Sequence, residues 1–489
     1  MKSRYLSSSL TLALALAALP ALAEETKGEL WYDFKFHGAK VGFLQALDEP
    51  TTYEGKPAIH SRRHSVITVR RGPDLVRMES DTDAWADLKG RPLHFTHIRN
   101  EGGSKRRLEG TVEGETLVVK TDVGGSLSES RIPLGPDVYL SSNLDYFTKR
   151  DLKEGKKISG KAVVEEDGAL QAFTSEVVSV EGKGPTAVFL VKSQIAGIES
   201  EDQVQAGGKT LRTSVLRMGA EFTLTTREQA MAILNPTDIF TATHLRTKVR
   251  LPKAERLDEL TVRLIGRSGH APRPIIDQRQ RVVSQTKAEV ELRVVADLPP
   301  KKAPKLPIKD PKLARFLGAT QYEALQDERI SSTSKEIVAG AKDAWEAARA
   351  INTFVFRHIT KKSLAQAFST AIEALEAKEG DCTEHAVLFS ALAKAAGIPT
   401  RLVTGVVYVG GEDGIFGYHE WVEVWMGDRW IAMDPTFGED LASVTHIKFS
   451  QGTSDPDGLR DAGMIAAELF GDLELVVKSY SEDGKKTTL

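Results

Sequence analysis

A single cysteine occurs in 489 residues, and the residues around it read as the start of a helix. One cysteine excludes an internal disulfide, so each part of the chain must be held by an ordinary packed core. The block is Gly380-Asp381-Cys382-Thr383-Glu384-His385. Asp381 can cap the helix, and Glu384, three residues on, can return the bond. Ala386, Leu388, Phe389, Leu392, Ala395 and Ala396 then form a helical stripe, which Gly397-Ile398-Pro399 stops. Cys382 therefore falls in the first turn. The unpaired N–H groups and the dipole favour a thiolate there, and the same N–H groups can stabilise an oxyanion. The bland alternative, a packed structural cysteine, fits better mid-helix on the apolar stripe.

Downstream, Tyr418 to Met426 and Arg429 to Pro435 read as two strands joined by Gly427-Asp428. That turn pairs Met426 with Arg429 and Trp421 with Asp434. His419 and Asp434 then share a face, one diagonal step apart, within reach of two side chains. Val422, Val424, Ile431 and Met433 fall on the other face as a core side. Trp421, Trp425 and Trp430 fall on the His419 face. A slip of one residue would separate His419 from Asp434. The chemistry suggested is nucleophilic: Cys382 attacks, His419 takes and returns the proton, and Asp434 orients the imidazole. Taken singly, each has a structural reading: a surface histidine, a strand-end aspartate and a packed thiol.

Four ordered blocks resemble the transglutaminase-like superfamily, in its bacterial exported branch. They are Gly380–Ala386, Ala396–Arg401, His419–Trp425 and Trp430–Thr436, within about residues 310–480. The resemblance implies an α+β, papain-like core with a Cys-His-Asp triad in that chain order, carried here onto Cys382, His419 and Asp434. The side-chain oxyanion donor of the family has no assignable counterpart. Calcium, which some transglutaminases need, is not indicated by the sequence.

The rest of the chain fits an exported, multidomain protein. Lys2 and Arg4, an apolar run from Leu10 to Leu19 and Ala21-Leu22-Ala23 form a secretory signal over residues 1–23, with cleavage expected after Ala23. The apolar run is shorter than the ~20 residues of a membrane span. No later stretch is apolar enough to be an integral membrane segment. Periplasmic or secreted localisation follows, and a lone cysteine kept in an oxidising compartment suggests a use for it. Removing 23 residues from 489 leaves 466, and loss of Lys2 and Arg4 takes 65 basic residues to 63 against 68 acidic, moving the charge from −3 to −5. This balance offers no footprint for nucleic acid.

Residues 24–240 read as mostly β, an antiparallel sandwich or open barrel with a binding or scaffold role. The signal is Leu30, Tyr32, Phe34 and Phe36 in alternation, then short apolar runs such as Val66–Val69, Leu117–Val119 and Phe222–Leu224. Residues 241–298 read as a further β segment and 299–309 as a Pro/Lys linker. Residues 310–489 read as the catalytic domain. There, Thr333 is expected to cap one helix of five to six turns through Ile337, Ala341, Trp345, Ala348, Ile351 and Val355. A shorter helix is expected from Ser369 or Thr370, and a final strand over Leu473–Tyr480. His60/His64 and His94/His97 read as solvated strand histidines rather than metal ligands, because no third ligand stands at matching spacing. His385 reads as a packed neighbour of the thiol. No cofactor and no metal is expected.

The expected function is a cysteine peptidase or amidase acting through a thioester on periplasmic protein or peptide material, with cell-envelope substrates included. The alternatives are protein-glutamine transamidation and a non-catalytic envelope binding or assembly protein.

Overall fold

The computed structural model describes residues 29–71, 74–101, 104–215, 218–232, 244–362, 369–469 and 471–489. The expected signal, residues 1–23, lies outside the described residues. The chain is mostly β and divides into two compact units between Asp238 and Ile239.

In the first unit, fifteen strands among the described residues join into one sheet. Eight form an antiparallel meander from Leu30–Phe36 to Ser126–Pro133. Seven more run from Val138–Leu140 to Ala220–Thr225, which returns to pair with Leu30–Phe36, Phe34 opposite Phe222. Those two rings stack with centroids 4.6 Å apart. One buried cluster holds Leu117, Val119 and Ile132 from one end of the sheet and Val138, Leu140 and Val163 from the other. The sheet is therefore curled, both ends covering one core, rather than split into two stacked layers. Its interior also holds charge, each group paired as burial requires. Arg63 meets both oxygens of Asp48 at 2.9 and 3.0 Å. Lys149 bridges Asp145 at 2.7 Å and Asp202 at 3.0 Å.

Of the four histidines expected to be solvated, His60 and His97 are not. His60 stacks on Trp85, centroids 4.5 Å apart, and bonds Asp83 at 2.8 Å. His97 is buried against Thr82 Oγ1 at 2.8 Å, and burial pushes its pKa down to about 3. Strand alternation places both on inward or half-covered positions that spacing alone did not distinguish. His64 and His94 remain partly exposed.

The second unit contains two sheets of five strands among its described residues. In one, Leu257–Gly266 pairs on one side with Glu289–Val295 and on the other with Leu473–Glu482. The segment 241–298 thus shares a sheet with the final strand, and the Pro/Lys stretch 299–309 runs inside this unit. In the other sheet Thr400–Gly410 lies between Ile415–Trp425 and Ile447–Gly452, and Trp430–Met433 pairs with the end of Ile415–Trp425.

Helices precede these strands. The single long helix expected from Thr333 is two: Glu328–Val338, capped by Asp327, and Ala344–His358, capped by Asp343. Asp343 accepts from the Trp345 and Glu346 N–H groups at 3.0 Å each, which starts a new helix just after Gly340. The apolar stripe crosses the break, so its period concealed it. The shorter helix, Ala371–Ala377, starts at a Thr370/Glu373 capping box as expected. All three pack on the helix Cys382–Ala395, which in turn packs on Thr400–Gly410 and Ile415–Trp425. Residues 382–394 of that helix are all buried. Its charged end is accordingly paired, while Thr383 Oγ1 is not: Lys394 Nζ meets Glu323 Oε2 at 2.6 Å, and Ser390 Oγ donates to Glu323 Oε1 at 2.7 Å.

Candidate active site

Cys382 is the first residue of the central helix. Asp381 caps it through a bond from Thr383 N at 2.8 Å, and Glu384 Oε2 accepts from Asp381 N at 2.8 Å. The capping box read from the sequence is present. Gly380 is required by closeness: a Cβ there would stand 2.3 Å from Glu384 Cβ. The cysteine is buried, with 1% of its surface exposed. Its surroundings are nonetheless ionisable. Lys362 lies in the field of both Cys382 and Asp434, and His385 in the field of Lys362, Asp434 and His419.

The hairpin has the register that the turn count dictates. Val422 faces Met433, Val424 faces Ile431, and Met426 N donates to Arg429 O at 2.9 Å. Val422, Val424, Ile431 and Met433 are fully buried. On the opposite face His419 Nε2 meets Asp434 Oδ2 at 2.8 Å. Gly405 makes room behind: a Cβ there would stand 2.0 Å from Ile447 O and 2.8 Å from the Trp421 ring. Trp425 and Trp430 pack edge to face, centroids 5.5 Å apart.

Asp434 is the hub. Its Oδ1 accepts from Thr436 N at 2.7 Å and from Phe437 N at 3.2 Å. Its Oδ2 meets a second imidazole, His446 Nε2, at 3.0 Å. Burial alone would push this carboxyl up. The charges and hydrogen bonds of His419 and His446 outweigh it and hold the group far below the usual carboxylate range. An ionised carboxylate only accepts, so His419 Nε2 carries a proton. The other ring nitrogen, Nδ1, is buried without a hydrogen-bond partner. That nitrogen is the one able to act as a base. Phe437 stacks on the His419 ring, centroids 4.9 Å apart, and fixes its plane.

His419, Asp434 and His446 also lie close enough to share a metal ion, as do His64, Glu79 and Asp81. In the first group, both imidazoles already spend Nε2 on one carboxylate oxygen, at hydrogen-bond lengths of 2.8 and 3.0 Å. The donor set fits a hydrogen-bonded relay better than a metal centre. The second group is a half-exposed cross-strand cluster in which His64 Nδ1 meets Asp81 at 2.7 Å.

Residues 331–435 match the transglutaminase-like superfamily. The matched segment thus begins inside the helix Glu328–Val338, takes in the next three helices, Cys382, His419 and Asp434, and stops short of His446. No curated protein sequence matches the chain. Among solved structures, it is similar to a candidate cysteine protease from Cytophaga hutchinsonii at 13% identity and TM-score 0.30, covering 48% of this chain and 85% of that one. A β-barrel-like protein with a domain of unknown function from Brucella abortus aligns at 12% identity and TM-score 0.30, over 40% of this chain and 95% of that one. A candidate protease from Parabacteroides distasonis aligns at 12% identity and TM-score 0.18, over 71% of this chain and 68% of that one. No helix among the described residues is long and apolar enough to cross a membrane.

Sequence reasoning missed His446, Lys362 and a carboxyl pair. His446 follows a loop and precedes the strand Ile447–Gly452, with no motif around it. The carboxyl pair is Glu384 with Glu420. Burial first, then the Glu384 charge, pushes Glu420 up to about 8, and its Oε1 is buried without a hydrogen-bond partner. Burial and Asp381 push Glu384 up as well. A carboxyl raised above its unfolded value near 4.5 favours the folded state below that pH, and the contribution is lost as pH rises through about 8. Glu420→Gln, which keeps the shape and cannot ionise, is expected to flatten the fall in melting temperature between about pH 4.5 and pH 8. Thermal melts across that window check this; parallel curves for the two proteins would mean that Glu420 does not titrate there.

Proposed function

We propose that the second unit is a cysteine acyl-transferring enzyme with an α+β, papain-like core, in which Cys382 is the nucleophile, His419 the general base and acid, and Asp434 the orienting carboxylate. The observation that carries this reading is the His419 Nε2–Asp434 Oδ2 bond at 2.8 Å with Nδ1 left unpaired, on a strand packed against the helix that begins at Cys382. His419 Nδ1 takes the thiol proton, and the sulfur attacks an amide carbonyl. The C–N bond breaks as His419 returns the proton to the leaving amine, which leaves a thioester. Water then attacks, giving its proton to His419; the C–S bond breaks, and a carboxylic acid and the free thiol are released. The helix N-terminus supplies N–H groups toward the developing oxyanion.

The substrate class is amide-bearing protein or peptide material of the cell envelope, met in the periplasm or outside the cell. The signal pattern of residues 1–23 supports that location. The near-complete burial of Cys382 favours a second reading, transfer to an amine, because an acyl-enzyme shielded from water lives longer.

The test is incubation of the full chain with a glutamine-containing peptide library, with and without a labelled primary amine, read by mass spectrometry. Hydrolysis alone supports the peptidase or amidase, and amine incorporation supports transfer. Both require an acyl adduct on Cys382 that is absent from Cys382→Ala. Turnover retained in that variant would remove the mechanism, and no turnover with any amide donor would leave a binding protein.

A further inference from the structure

Three groups beside the sulfur take no part in the steps above: the Asp381 carbonyl, the His385 ring and the Lys362 ammonium. They form one chain. His385 lies one turn after Asp381, and its Nδ1 is hydrogen-bonded to the Asp381 backbone oxygen. A carbonyl oxygen only accepts, so Nδ1 carries the proton. Nε2 is then the lone-pair nitrogen, and Lys362 Nζ donates to it. Burial, reinforced by the Lys362 charge, pushes the His385 pKa down to about 3. The ring is therefore a neutral acceptor at any working pH, which is the form able to hold an ammonium. A protonated ring would set two cations in contact.

Lys362 sits on the loop after the helix Ala344–His358, half-buried, with its charge over the Phe356 ring at 5.8 Å. Two anionic positions act on it, Asp434 first and Cys382 second. Their influence is reciprocal: an anion that favours the ammonium is itself favoured by it. The titratable groups around this point are Asp381, Glu384 and His385 on the helix, His419 and Glu420 on the strand, and Asp434 with His446 beyond. With Cys382 as thiolate and His419 as imidazolium, Asp434 leaves the triad one negative charge in excess. In a buried site that excess opposes ionisation of the sulfur. Lys362 cancels it.

We propose that Lys362, held in place by His385, is the second cation of this site and stabilises the Cys382 thiolate. The inference rests on the reading of Cys382 as nucleophile. His385 is the positioning residue, acting on the sulfur only through Lys362. Burial, opposed by Asp434 and then Cys382, brings Lys362 down to about 8. Above that pH its support for the thiolate fades.

Because Cys382 is the only cysteine in the chain, the ultraviolet absorbance of its thiolate has one source. The experiment is a pH titration of that absorbance in the full chain, with Cys382→Ser as the blank and circular dichroism to verify folding. Lys362→Met is expected to raise the ionisation midpoint by about one pH unit or more. Lys362→Arg, a permanent cation, is expected to restore it. His385→Leu should behave as a weaker Lys362→Met, and His385→Gln, which keeps an acceptor near the Nε2 position, should not.

An unchanged midpoint in Lys362→Met overturns the proposal. So does a midpoint in His385→Leu no higher than in His385→Gln, and this comparison holds even if the methionine variant fails to fold. The titration uses no substrate. A shifted midpoint without turnover on any amide would sink the proposed function and leave this inference standing.

Discussion

Asp434→Asn should reduce amide turnover by on the order of 10³–10⁴-fold while leaving the fold intact. The reason lies in the two sides of the carboxylate. On one side the Thr436 and Phe437 N–H groups donate at 2.7 and 3.2 Å, so an asparagine must place its oxygen there. Its NH₂ then faces both His419 and His446, where the native oxygen accepts. A donor facing His419 Nε2 forces the proton onto Nδ1, and the nitrogen needed as a base is lost. The variant is nearly isosteric, so the loss should appear in kcat with little change in KM. Steady-state kinetics with the best donor peptide checks this; a loss below about tenfold would mean that the tautomer of His419 does not govern the reaction.

Lys394→Met should cost about 3–5 kcal/mol of stability, a large share of what holds a domain together. Lys394 and Glu323 are both fully buried and meet at 2.6 Å, with Ser390 on the other carboxylate oxygen at 2.7 Å. Removing the ammonium leaves a carboxylate in the protein interior with one hydroxyl for company. The pair ties residues ahead of the first long helix to the back of the central one, opposite Cys382 along its axis. Pairing the change with Glu323→Leu should recover most of the loss, because no uncompensated charge then remains. Urea unfolding of the two variants decides the point. Equal midpoints for single and double variants would show that the cost is packing, not charge.

What could be read from the sequence follows the reach of its signals. The hairpin was legible because a two-residue turn fixes the register by counting, and parity then decides the face. That alone brought His419 and Asp434 together. The cap at Asp381 and Glu384 was legible for the same reason, being three residues long. The break at Gly340 to Asp343 was not, because the apolar stripe of Ile337, Ala341 and Trp345 continues across it in phase. His446 and Lys362 reach the site by routes that leave no local trace. Strand pairing of Gly405 with Lys448 carries the first, and a loop leading toward the central helix carries the second. The carboxyl pair Glu384 and Glu420 reads in the sequence as a cap and an ordinary strand charge; only burial turns it into a titrating unit.

The pairing of Leu257–Gly266 with Leu473–Glu482 sets a practical limit on trimming the chain. A fragment cut at the borders of the family match, residues 331–435, would discard His446. One begun at residue 310 would keep it but strip the closing strand of its partner, baring a long hydrogen-bonding edge ready to recruit other copies. Expression trials that start ahead of Leu257 should yield monodisperse material where shorter ones precipitate.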